Sequence, residues 1–164
     1  MRWLRSSLPA LVVGMLVLCW AVPAQGVEAG SERAVFVEAA EPICERNVLA
    51  NKRIFAGAKE EVKEGKLKLA SRHFFRAATA FGRTIRELAA LPRPSADAAR
   101  VARWLDILRD EKALVQKIGK ALAAGQKRKA QSVAVELNRN SNKANNAVLA
   151  FGFDYCRIEP SRFG

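Results

Sequence analysis

The sequence predicts an all-α fold, an antiparallel up-down-up-down four-helix bundle closed by one disulfide. Three observations predict it. Four long segments carry apolar residues at spacings of three and four and are broken by Gly or Pro. Turn signals are too few for an all-β chain, and no strand pattern survives. Short connections make successive helices antiparallel neighbours, which brings Cys156, after helix four, beside Cys44 early in helix one.

The chain has 164 residues, 50% hydrophobic and 27% charged. That length suits one domain, and the apolar content is too high for intrinsic disorder. One His and three Cys leave few ligands for a zinc site, so no metal and no cofactor is expected. There is no Gly-rich phosphate loop, no C-x-x-C-H for covalent haem, and no Glu-x-x-His pair for a di-iron bundle. No serine of the mature chain has a nucleophile-elbow context.

The first segment reads as an address. Met1 to Ser7 carries Arg2 and Arg5 and no acid, Leu8 to Val22 is apolar, and Val22-Pro23-Ala24 offers small residues to a peptidase. This is the three-part pattern of a secretory leader over residues 1–24, cleaved after Ala24 or, as second choice, Gly26. Export to the periplasm, envelope or medium follows. The apolar run is about 15 residues, short for a spanning helix. An uncleaved N-terminal anchor is the rival reading. Cys19 suggests lipidation, but Leu18 stands where a lipobox needs a small residue.

Residues 25–164 then form one helical-bundle domain with a formal charge of +10, since Arg2 and Arg5 leave with the leader. Its two cysteines, Cys44 and Cys156, form an even pair in an oxidising compartment and read as a disulfide. The chain-entropy argument gives ~4–5 kcal/mol for a loop of that size.

Helix one is expected from about Ser31, a capping residue, to Glu64, ended by Gly65. Phe36, Ala40, Ile43, Ile54, Ala58 and Val62 fall on one side of it. Pro42 removes a backbone hydrogen bond and is expected to kink the helix or start a new one.

Helix two runs from about Lys66 to Leu91. Leu67, Ala70, Phe74, Ala78, Phe81, Ile85 and Leu88 form its apolar side, and Pro92 and Pro94 end it. Helix three starts at Ser95, with Asp97 in the first turn where the dipole favours an acid, and Gly125 closes it. Val101, Trp104, Leu105, Leu108, Val115, Ile118 and Leu122 face inward. Helix four runs from about Gln126 to Phe151, with Ala130, Val133, Ala134, Leu137, Ala144 and Val148 inward. Asn138, Asn140, Asn142, Asn145 and Asn146 crowd its middle. Asn is a poor helix former, which predicts strain or fraying there.

Two constellations bear on function. Residues 66–92 carry six basic and one acidic side chain, a net +5. Lys68, Arg72, Arg76, Arg83 and Arg86 make helix two's polar side a candidate contact for polyanions or an anionic membrane. The bland alternative is a solvated face that keeps the protein soluble. Aromatics are not interleaved with the bases, so no specific nucleic-acid recognition is expected. The second constellation is Asn47, Asn51 and Glu111, polar residues on the apolar sides of helices one and three. They form either a register device in the core or a small polar ligand site. His73, the one histidine, reads as an edge residue.

Phe36-Val37-Glu38-Ala39-Ala40-Glu41-Pro42-Ile43-Cys44 followed by Asn47 resembles the opening of small, uncharacterised exported bacterial helical proteins. Leu88-Ala89-Ala90-Leu91-Pro92-Arg93-Pro94, leading into Trp104-Leu105 and Leu108, fits the same pattern, as does Cys156 after Gly152. The resemblance implies a secreted, disulfide-closed helical domain and brings no activity with it. The expectation is a non-catalytic binding or structural module at the cell envelope, partnered by an unknown envelope protein or an anionic surface. A polyanion binder and a small-ligand carrier are the alternatives.

Overall fold

A computed structural model describes residues 29–158 of the chain. The leader expected over residues 1–24 lies outside the described residues. The described part is all-helical. It comprises α1 (Ala29–Ile54), α2 (Ala58–Lys63), α3 (Leu67–Ala89), α4 (Ala98–Ala123) and α5 (Lys127–Ala147). Single 3₁₀ turns, Ser95–Asp97 and Leu149–Phe151, precede α4 and follow α5. Among the described residues, no helix is long and apolar enough to cross a membrane.

Five helices replace the expected four because the first segment breaks at Phe55-Ala56-Gly57. Gly57 sits at φ 81°, a left-handed conformation that glycine adopts without a Cβ penalty. The chain turns there, and α2 lies against α3. His73 of α3 holds the corner: its Nδ1 meets the Ile54 carbonyl at the end of α1, and its Nε2 stands 3.1 Å from the Glu61 carboxylate of α2. The edge histidine is thus a half-buried clasp of three helices.

Pro42 does not interrupt α1, which continues through it. Pro42 is exposed, and so is Glu38, one turn earlier, whose carbonyl loses its helical partner. Water can satisfy that carbonyl, which makes an in-helix proline tolerable here. Ser31 lies inside α1 and does not cap it.

Ser95 makes no side-chain cap for α4. Its N–H and hydroxyl both donate to Glu32 of α1, and these bonds hold the Glu32 carboxyl below its ordinary range. Asp97 is buried and receives Arg33 Nε of α1 at 2.7 Å. An ion pair and a serine–carboxylate contact therefore fix the start of α1 to the turn that leads into α4.

The asparagine-rich stretch is regular helix to Ala147, where sequence reasoning expected fraying. The last part of the fourth segment is the 3₁₀ turn instead.

α3 packs along α4, α4 along α5, and α1 along α3. Gly119 permits the close α3–α4 approach, since a Cβ there would stand 3.1 Å from the Phe75 ring and 3.2 Å from Phe74 Cβ. One apolar cluster lies at the disulfide end, where Trp104 stacks on Phe153 (centroids 5.6 Å apart) and Phe153 on Phe151 (5.4 Å). Each such buried side chain contributes about 1.5–3 kcal/mol. A second cluster gathers Ala70, Ile118, Leu122, Ala130 and Val133. Cys44 and Cys156 are joined, with Cα atoms 5.0 Å apart.

Candidate functional site

Between those two clusters the packing opens. Phe74, Phe81, Val115 and Leu137 point inward, as their spacing predicts, yet stay half-buried. They wall a cavity of about 360 Å³, and Ala134, also expected inward, lies exposed at its edge. This volume falls in the usual range for small-molecule pockets, about 300–1,000 Å³. The backbones of α1 and α5 share no extensive contact, and the cavity occupies the space between the helices there.

The structure brings Asn47, Asn51 and Glu111 to this one cavity. Asn47 and Asn51, one turn apart on α1, enter from one side, and Glu111 of α4 from another. Asn51 is 8% exposed and Glu111 5%. The Oδ1 atoms of both asparagines are buried with no hydrogen-bond partner. Native interiors pair nearly all such atoms, so two orphaned acceptors on residues that line one cavity stand out among the described residues.

Glu111 is held from α5. Ser141 Oγ stands 2.9 Å from Glu111 Oε1 and 3.0 Å from the Leu137 carbonyl. Asn140 Nδ2 donates to the Ile107 carbonyl at 2.9 Å and reaches Glu111 Oε2 at 3.5 Å. Burial pushes the Glu111 carboxyl up to about 7, against the bonds from Ser141 and Asn140, which favour its ionised form. Ser141 has one hydroxyl proton and two oxygen neighbours. Ionised Glu111 accepts a hydrogen bond through that proton. Neutral Glu111 donates its own proton to Oγ and leaves the hydroxyl to Leu137. The site thus accommodates both charge states.

Ser141 was within reach of the sequence. It lies between Leu137 and Ala144 on the apolar side of α5, the same inward-polar signal that singles out Glu111.

One wall comes from the segment after α5. Tyr155, Arg157 and Ile158 line the cavity. The Cys44–Cys156 bond fastens this strap to α1. The Glu41 carboxylate accepts the backbone N–H groups of Asp154 and Tyr155, the latter at 2.9 Å. Asn145 Nδ2 donates to the Ile158 carbonyl at 2.8 Å, and its Oδ1 accepts the Ile158 N–H at 2.7 Å. The asparagines of α5 thus have tertiary work at Asn140 and Asn145.

Lys68, Arg72, Arg76, Arg83 and Arg86 are all exposed on α3, away from the cavity. At 100° per residue they fall within an arc of about 80°. No ion pair engages any of the five among the described residues. No group of three or more His, Cys, Asp or Glu side chains able to hold a metal ion occurs among the described residues. No protein-family model, curated protein or solved structure matches this chain.

Proposed function

We propose that the protein is an exported, non-catalytic binding protein whose four long helices form an antiparallel up-down-up-down bundle around a small-ligand pocket. One observation carries the reading: Asn47, Asn51 and Glu111 converge from two helices on a cavity of about 360 Å³ whose other walls are largely apolar. A polar trio serving only helix register would be paired within itself. Here a bound molecule supplies the missing partners. Export rests on the Arg2–Ala24 leader pattern and on a cysteine pair suited to an oxidising compartment.

Native mass spectrometry of the exported protein tests the pocket. The expected result is a small-molecule adduct in the wild type that disappears in Val115→Phe, which fills the cavity. The absence of an adduct from both, with no binding of apolar probes, would overturn the reading.

A second reading, adsorption to an anionic surface, is favoured by one observation: five exposed cations, none in an ion pair among the described residues, share a single arc of α3. The two readings are compatible, since the arc and the cavity use different residues.

A further inference from the structure

Which atoms of the wall a bound molecule can touch decides its chemistry, and this inference rests on the pocket reading above. Asn51 is more than nine-tenths buried, and the Oδ1 atoms of Asn47 and Asn51 are closed off from the cavity. The end of each amide that a bound molecule can meet is therefore its Nδ2, a donor. Neither Nδ2 has a protein acceptor among the described residues. The oxygens of Glu111, the other buried polar group of the cavity, already face Ser141 and Asn140 of α5. The cavity thus offers unused donors and turns its one carboxyl toward other partners. Its apolar wall includes the rings of Phe55, Phe74 and Phe81.

We propose that the cavity binds a small apolar molecule headed by an uncharged carbonyl group, a ketone or an ester, whose oxygen accepts from Asn47 and Asn51 and whose body lies against Phe55, Phe74 and Phe81. Asn47 and Asn51 stand one turn apart on α1, where side chains are neighbours with Cβ atoms about 5–6 Å apart. A carbonyl oxygen has two lone pairs and brings no donor of its own. One such oxygen suits two amide donors and leaves nothing unpaired. A head group rich in N–H donors would set donors against donors. An anion would oppose the carboxylate of Glu111 when that group is ionised. Arg157, the cationic wall residue, is exposed, where water screens its charge.

The test is calorimetric titration of the exported, oxidised protein at pH 8 with three probes of one skeleton: the ketone 4-phenylbutan-2-one, 4-phenylbutan-2-amine and 3-phenylpropanoate. Propylbenzene reports on the apolar wall alone. The ketone is expected to bind about tenfold tighter than either ion, since each ion gives up its hydration for a poorer set of partners. Asn51→Leu should weaken ketone binding about tenfold and leave propylbenzene affinity within about threefold. Should that variant fail to fold or lose propylbenzene, Asn47→Leu serves instead, with the same expectation. Amine or carboxylate binding as tight as the ketone's, or binding of propylbenzene alone, overturns the carbonyl inference and leaves the pocket standing. Undiminished ketone affinity in a folded leucine variant overturns it too. Binding of none of the four overturns both.

Discussion

Ser141 Oγ of α5 stands 2.9 Å from Glu111 Oε1 of α4, and this contact fixes a buried carboxyl at the wall of a cavity. The charge of that carboxyl is linked to stability. Burial raises it from its ordinary 4.5 to about 7. Below pH 4.5 both folded and unfolded chains hold the proton. Between pH 4.5 and 7 the unfolded chain releases it first, so the contribution of neutral Glu111 is lost as pH rises through 7. The loss is on the order of 3 kcal/mol. Denaturant titrations between pH 4.5 and 8 should show this decline in the wild type and a flatter profile in Glu111→Gln.

Asn51→Leu should stabilise the empty protein. It replaces a buried, unpartnered acceptor with an apolar group of similar size, and such an acceptor is destabilising by about 1–3 kcal/mol. Thermal melts of the ligand-free protein should rise in the variant, while binding falls. A drop in melting temperature would mean that the Asn51 side chain is satisfied in solution.

Replacing both Cys44 and Cys156 with Ser should cost about 4–5 kcal/mol, the loop-closure entropy of the long covalent ring. Non-reducing peptide mapping checks the bond, and denaturation midpoints check the magnitude. Asn145→Ala, which removes both bonds to Ile158, should loosen only the strap. Amide exchange at Ile158 should then quicken, with that of α3 and α4 unchanged.

Neutralising Arg72, Arg76 and Arg83 together should abolish salt-sensitive sedimentation with anionic vesicles at low ionic strength. The melting temperature should hardly change, because all three are exposed and none is in an ion pair among the described residues. Equal sedimentation of wild type and variant would reduce the basic face to a solubility feature.

How much of this could be read in advance follows the kind of force involved. Helical periodicity placed α3, α4 and α5 within a few residues, because Leu88, Trp104 and Leu105 report the period directly. The same period put Asn47, Asn51 and Glu111 on inward faces. The turn at Phe55–Gly57 was hidden, because an Ala- and Lys-rich stretch with one glycine also reads as continuous helix. The corner is held by His73, distant in sequence. The continuity of α1 through Pro42 depends on which side of the helix meets water. Tyr155, Arg157 and Ile158 had no periodic signal, since they belong to a short irregular tail whose position is set by Glu41, Cys44 and Asn145.

The strap has a consequence for the order of events as the protein is made. One wall of the pocket comes from residues 155–158, and its anchors are Glu41 and Cys44, more than a hundred residues upstream. Contacts of such sequence separation close late in folding, after the local α3–α4 and α4–α5 hairpins. A chain synthesised only as far as the end of α5 therefore lacks one wall of the cavity. The cavity is thus a product of the whole fold, complete only when a segment made late meets one made early.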